Sequence, residues 1–215
     1  MFSYSNHRAL TIGIEDYEYL NPLKYCIQDA KAISEALSEY NCLFSCMTAL
    51  NEKATSSQIR QSIKKMFEGS DDDAIFILFF AGHGITVNGS TFPVTHDADQ
   101  AGDPEAGLEM SVLVRTITNL LKPKQTFVFI LDCCHSGALG IENATVDLHD
   151  IQSNINSSRG LILMAATEAD AQAKETDALG MGVFSNILFE GLQGEAARGC
   201  YELPKLRITE YSRGS

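Results

Sequence analysis

Two stretches define the centre of the predicted sheet: AIFILFFAGHG at residues 74–84 and TFVFILDCCHSG at residues 126–137. Each begins as an uninterrupted apolar run, which is typical of a strand that is covered on both faces. Each ends in a polar motif that contains glycine. Because ligand sites in parallel sheets lie at the carboxyl ends of the strands, the two motifs mark the expected position of a functional site.

Strands and helices alternate along the rest of the chain. The predicted strands span residues 8–14, 42–50, 74–81, 126–131, 161–166 and 206–211. The predicted helices span residues 25–40, 55–66, 110–121 and 183–192. The polar segment 85–107 predicts a long loop or a small hairpin. This order indicates an α/β fold in one domain, residues 1–215, with a mostly parallel sheet and helices on both faces.

The charge balance limits the partners. The chain has 16 Lys and Arg side chains against 28 Asp and Glu, for a formal net charge of -12. This excess of acid opposes binding to nucleic acid or to an anionic membrane, both of which need clustered basic side chains. Neither a membrane span nor a secretory signal is recognisable, and six cysteines without a CxxC pair predict reduced thiols. We therefore expect a soluble, cytoplasmic protein.

His83 and Cys134 are the candidate catalytic residues of the two motifs. A thiolate is a nucleophile, and a neighbouring imidazole can take the thiol proton and later return it. If the two apolar runs form neighbouring strands, roughly 5 Å apart, these two residues converge. The backbone N–H groups of Gly84 and Cys134 are candidate donors to the oxyanion that forms during hydrolysis.

Each motif alone has a simpler explanation. A satisfied core or loop histidine would account for His83, and two small buried hydrophobic residues would account for Cys133 and Cys134. A zinc site is a further alternative, but adjacent cysteines rarely chelate one ion and no ligand spacing supports it. Its ligands would be His83, Cys133, Cys134 and His135. The joint occurrence of both motifs at strand ends favours the catalytic pair, while spacing does not choose between the cysteines.

The motifs FFAGHG and LDCCHSG resemble the paired His and Cys blocks of the metacaspases and their bacterial caspase-like relatives, the orthocaspases. The opening segment RALTIGIEDYEYLNPLKYCIQDAKAISEAL looks like the first strand and helix of that family, so the resemblance covers about residues 8–193. It implies a caspase-like three-layer fold. Its large-subunit-like part would span about residues 1–158, and its small-subunit-like part about residues 159–215.

The resemblance also implies an activity, that of a cysteine endopeptidase acting on protein or peptide substrates. It assigns His83 as the base and Cys134, the second of the two cysteines, as the nucleophile. It leaves open a regulatory partner. The alternative function is a caspase-like pseudo-enzyme, a signalling module that uses the same surface for assembly.

Four residues match the acidic primary specificity pocket of metacaspases: Cys26, Asp29, Ala81 and Asp132. The match implies cleavage after Arg or Lys, because a guanidinium can satisfy two carboxylates. Ala81 replaces a serine that is common at this position, so a preference for larger apolar side chains is an alternative. The two carboxylates also have a structural alternative, in which they cap turns or pair internally.

No cofactor is predicted. Where many metacaspases have an acidic pair, the segment 107–113 reads GLEMSVL, and Met110 and Ser111 are poor calcium ligands. An acidic loop remains as an alternative calcium site, although a solvated loop is favoured. Its carboxylates are Asp97, Asp99, Asp103 and Glu105. Arg159 and Lys174 are candidate positions for self-processing, since both lie in polar segments.

Overall fold

The computed structural model describes residues 7–39, 43–87, 90–98, 108–134, 160–165 and 180–194. The strands are β1 (Arg8–Gly13), β2 (Ser45–Leu50), β3 (Ile75–Val87), β4 (Ser90–Pro93), β5 (Thr126–Cys134) and β6 (Leu161–Ala165). The helices are α1 (Cys26–Ser38), α2 (Ser56–Phe67), α3 (Met110–Leu120) and α4 (Val183–Leu192), with a 3-10 turn at Asn51–Lys53. Within these ranges, no helix is both long enough and apolar enough to cross a membrane.

Five strands form a parallel sheet in the order β2-β1-β3-β5-β6. The two long apolar runs are neighbours at its centre, as β3 and β5, and each pairs in parallel with the other from Ile75↔Thr126 onward. The predicted α/β class with a mostly parallel sheet is therefore confirmed. The predicted strand at residues 206–211 lies outside the described residues.

Helices cover both faces of this sheet. On β3, Phe76, Leu78 and Phe80 pack on the face of α2 and α3, whereas Ile77 and Phe79 pack on the face of α1 and α4. Successive side chains of a strand point to opposite faces, so a strand buried on both faces must be apolar at every position. This requirement explains why the central runs lack the alternation of polar and apolar residues.

The predicted end of the strand at residues 74–81 is wrong. The sequence interpretation ended this strand at the AGHG motif, but β3 continues to Val87 because its last residues pair with β4 in an antiparallel hairpin, Gly84↔Pro93 to Val87↔Ser90. Backbone hydrogen bonds do not depend on apolar side chains, so a polar motif did not end the strand. His83 thus lies where the parallel ladder ends and the hairpin begins. The hairpin was one of the two predictions for the segment that follows.

The ends of the other elements differ from prediction by a few residues. β2 begins at Ser45, later than predicted, and β5 runs on through Cys134. The predicted start of α2 is confirmed, since the N–H of Gln58 donates to the hydroxyl of Thr55 at 3.3 Å. This cap satisfies one of the N–H groups that the first turn of a helix leaves without a partner.

Candidate active site

The polar motifs meet at the carboxyl ends of the parallel strands. His83 and Cys134 are Cα partners in the last pair of the β3–β5 ladder, and Ala81 is the Cα partner of Asp132 two positions earlier. β1 ends beside them, with Gly13 opposite Ala81. Three neighbouring strands therefore deliver their ends to one edge of the sheet.

His83 is buried, and its ring forms a hydrogen bond to the backbone. Its side chain is 1% exposed, and its Nε2 atom lies 2.8 Å from the backbone carbonyl oxygen of Asn21. A carbonyl only accepts, so Nε2 carries the hydrogen, and the lone pair of the neutral ring is then on Nδ1. Burial lowers the pKa of His83, and the Asn21 carbonyl opposes this shift. A neutral ring with its lone pair on a known atom is what a general base requires.

Tyr17 also contacts His83. The backbone N–H of His83 donates to the phenol oxygen of Tyr17 at 2.8 Å, and the two ring centroids are 4.7 Å apart. The segment between β1 and α1 thus supplies both Tyr17 and the Asn21 carbonyl. Sequence reasoning missed both residues. A backbone carbonyl leaves no side-chain signal, and a tyrosine in a connecting segment belongs to no periodic pattern.

Cys133, the first of the two adjacent cysteines, lies in apolar surroundings. Cys133 is 6% exposed and belongs to the apolar cluster on the face of α2 and α3. A Cβ added at Gly84 would lie 2.9 Å from the Cβ of Cys133, so this side chain leaves room for glycine alone. Cys134 is described by its backbone position as the Cα partner of His83. The predicted role of Gly84 as an oxyanion donor stays a prediction, because its contact with Cys133 explains the glycine independently.

Two predicted pocket residues, Asp29 of α1 and Asp132 of β5, come together on the face of α1 and α4. They are 3% and 9% exposed, respectively. The N–H of Gly182 donates to Asp29 Oδ1 at 3.0 Å, and the hydroxyl of Ser185 donates to Asp132 Oδ2 at 2.6 Å. In the part of the chain that the structure describes, neither carboxylate forms an ion pair. Both do accept hydrogen bonds from the first turn of α4.

Burial disfavours the charged form of both acids. It raises the pKa of Asp29 to about 7, against the opposing effect of the Gly182 N–H, and the charge of Asp132 raises it further. Burial also raises the pKa of Asp132, while the hydroxyl and N–H of Ser185 act in the opposite direction. Two buried carboxyls at close range favour any ligand that brings a positive charge.

The remaining predicted pocket residues lie beside this pair. Cys26 is 2% exposed and Ala81 is 1% exposed, and both belong to the apolar cluster between the sheet and α1. Cys26 begins α1 and precedes Asp29 by three residues, so the two share a buried helix face. Gly182 and Ser185 were not predicted. Helix α4 itself was predicted, but no sequence pattern connected it with carboxylates 153 and 53 positions away.

The candidate calcium residues are only partly described. Asp97 Oδ1 accepts from the backbone N–H of Ser56 at 2.9 Å, at the start of α2. Met110 is 1% exposed in the core. Among the described residues, no group of three or more His, Cys, Asp or Glu side chains gathers as a metal site. Several predicted residues lie outside the described ranges: Asp99, Asp103, Glu105, His135, Arg159 and Lys174.

The fold and the site define a class of protein, an α/β domain with a doubly covered parallel sheet and buried polar side chains at the strand ends. The chain belongs to the caspase domain family of peptidases, whose family model matches residues 6–207. Metacaspase-9 of Arabidopsis thaliana is 27% identical over an alignment of 159 residues, which covers 69% of this chain and 49% of the relative. The chain therefore spans about half the length of this curated relative.

Solved structures agree on the fold. A Geobacter sulfurreducens protein superimposes with a TM-score of 0.62 at 16% identity, over 87% of this chain and 82% of that protein. The Drosophila initiator caspase Dronc superimposes with a TM-score of 0.57 at 14% identity, over 90% of this chain and 66% of Dronc. The resemblance to metacaspases and the predicted caspase-like fold are confirmed.

Proposed function

We propose that the protein is a cysteine endopeptidase in which Cys134 is the nucleophile and His83 is the base. The observation that carries the proposal is the register of the central ladder, in which His83 and Cys134 are paired where β3 and β5 part. The hydrogen bond from Nε2 to the Asn21 carbonyl supports it, because it leaves Nδ1 as the proton acceptor.

The surroundings of Cys133 support the choice of its neighbour. Cys133 lies in the apolar core against Gly84, and burial in apolar surroundings disfavours a thiolate. Adjacent residues of a strand occupy opposite faces. Cys133 accordingly serves as a core residue, which leaves Cys134 as the proposed nucleophile.

The proposed reaction has two stages. In the first, Nδ1 of His83 takes the thiol proton of Cys134, the sulfur bonds to the peptide carbonyl carbon, and the proton passes to the leaving amine as the C–N bond breaks. In the second, water loses a proton to His83 and attacks the thioester, which releases the acid and restores the thiol. The N–H groups of Gly84 and Cys134 are the proposed donors to the oxyanion. Thiol and imidazole supply both the nucleophile and the base without a cofactor.

We propose Arg or Lys as the residue before the cleaved bond. Asp29 and Asp132 are buried next to the His83–Cys134 pair, and the described residues provide no cation to neutralise them. A guanidinium or ammonium group from the substrate would lower the free energy of both ionised carboxylates. The apolar neighbours Cys26 and Ala81 suit the methylene stem of such a side chain.

The experiment that tests the proposal compares fluorogenic peptides ending in Arg, Lys, Leu or Asp. We expect turnover of the Arg and Lys peptides, and a loss of at least about 10³-fold in Cys134→Ala. Cys133→Ala is the matched control, and we expect it to lower stability while turnover persists. Turnover that survives in Cys134→Ala would refute the mechanism. An inert Cys134 toward iodoacetamide at neutral pH, together with stable binding of a partner protein, would favour the assembly function instead.

A further inference from the structure

The start of helix α4 meets the acid pair in an unusual way. Its N-cap residue is Gly182, which offers no side chain to cap the helix. The first N–H groups of a helix need acceptors from outside the helix. Here Asp29 Oδ1 accepts from the Gly182 N–H at 3.0 Å, so a residue from another helix fills that role.

Ser185 reaches the second carboxylate. It is 0% exposed, and its hydroxyl donates to Asp132 Oδ2 at 2.6 Å, a distance typical of a hydroxyl bonded to a carboxylate. Gly182 approaches both acids closely, since an added Cβ would lie 2.9 Å from Asp29 Oδ2 and 3.3 Å from Asp132 Oδ2. One helix turn therefore contacts two carboxylates that come from different elements.

These contacts do not exhaust the carboxylates as acceptors. An ionised carboxylate has about four acceptor sites on its two oxygens, and a hydroxyl or N–H fills one. The positive end of the α4 dipole also favours the ionised form of an acid placed beside it. Capping of the helix and binding of a substrate cation are thus compatible uses of the same pair.

We propose that Ser185 is a positioning residue for substrate selection, because it orients Asp132. Gly182 contributes by leaving space beside Asp29 and Asp132 that a larger residue would fill. The inference rests on the proposed function, since it concerns the basic side chain that the acid pair binds. Ser185 holds Asp132 in one orientation before a substrate arrives, and its hydrogen bond opposes the rise in the pKa of Asp132 that burial causes. Without the hydroxyl, Asp132 is free to turn, and burial shifts it toward its neutral form, which no longer attracts a cation.

The first test substitutes Ser185 and its neighbour. In Ser185→Ala we expect the KM of an Arg peptide to rise about 10-fold, with little change in kcat, because the lost bond concerns a charged acceptor. Hydrolysis of a Leu peptide should be unchanged. Ser185→Thr keeps a hydroxyl and should restore most of the affinity. Asn186→Ala is the matched control, because that side chain bonds to Glu190 on α4 itself at 3.1 Å.

The second test uses glycines of the same region. In Gly182→Ala the new methyl would push against Asp29 and Asp132, so the KM of the Arg peptide should rise by at least the same factor. Gly191→Ala is its control, since an added Cβ there meets nothing within 4 Å. Thermal unfolding of each variant separates a local change in the pocket from a general loss of structure.

The outcomes distinguish this inference from the proposed function. If the wild-type protein cleaves no Arg or Lys peptide, the proposed specificity fails, and with it the role of Ser185. If the wild type is active and Ser185→Ala has an unchanged KM for Arg, the inference alone is overturned. Equal losses on the Arg and Leu peptides in Ser185→Ala would also overturn it, because they indicate a structural role without selectivity.

Discussion

Burial has opposite consequences in the two polar regions of the site. Around His83, burial lowers the pKa and so favours the neutral ring, which suits the proposed role as a base. Around Asp29 and Asp132, burial raises the pKa and opposes the charge that a cation-binding pocket needs. His83 is contacted by a carbonyl and a phenol from the segment between β1 and α1, whereas the two acids accept hydrogen bonds from the start of helix α4.

The largest expected effect concerns the region of the base. His83→Ala should lower kcat by at least about 10³-fold on every peptide, regardless of sequence, because it removes the proposed acceptor of the thiol proton. Rates measured with Arg and Leu peptides test this. His7→Ala is the control, since His7 accepts from the N–H of Ile75 at the opposite end of β3. A loss limited to the Arg peptide would place His83 in substrate binding.

A substitution in the pair Asp29 and Asp132 should affect peptides with a basic residue more than peptides with an apolar one. Asp132→Asn should lower kcat/KM for an Arg peptide by about 10²- to 10³-fold, because it removes one buried partner of the substrate cation. A Leu peptide should be affected far less. Asp72→Asn is the control, since that side chain is 82% exposed and pairs with Lys122 at the surface. Equal losses on both peptides would contradict the distinction between the two regions.

Asp29 should make stability depend on pH. Between its usual pKa of 3.8 and its folded-state pKa of about 7, the folded protein binds the proton more tightly than the unfolded chain does. The free energy of unfolding therefore falls as pH rises through this window, by on the order of 2–4 kcal/mol from Asp29. Urea unfolding of the wild type and Asp29→Asn over this range measures it.

The difference between these two proteins isolates Asp29 from the other groups that titrate in the same window. Asp132 and Glu15 face Asp29 and contribute to its shift. As pH rises, the free energy of unfolding of the wild type should fall relative to that of Asp29→Asn. A difference in unfolding free energy that stays constant with pH would mean that burial does not raise the pKa of Asp29.

The smallest effect is expected at Tyr17. Tyr17→Phe keeps the ring beside His83 but removes the oxygen that accepts from the His83 N–H, so kcat should fall about 5- to 10-fold with an unchanged KM. Tyr19→Phe is the matched control, because Tyr19 is 58% exposed. A rise in KM without a change in kcat would assign Tyr17 to substrate binding.

Much of this arrangement was predictable from local pattern. The apolar runs at residues 74–81 and 126–131 identified two central strands, and the polar motifs after them located the site at the strand ends. Periodicity is a property of neighbouring residues, so it survives in the sequence without knowledge of the fold. The pairing of His83 with Cys134 then needed only that these strands be neighbours, which the structure provides.

Other features depended on contacts between distant parts of the chain. The extension of β3 to Val87 required β4 as a hydrogen-bond partner, and the burial of Cys133 required an apolar core on one face of the sheet. The hydrogen bond from Ser185 to Asp132 joins residues 53 positions apart. Such contacts arise when burial removes water and polar groups must find partners in the protein, which no periodic pattern encodes. The position of the polar motifs at the strand ends was thus determined by the sequence, whereas the hydrogen-bond partners of the buried acids were determined by tertiary packing.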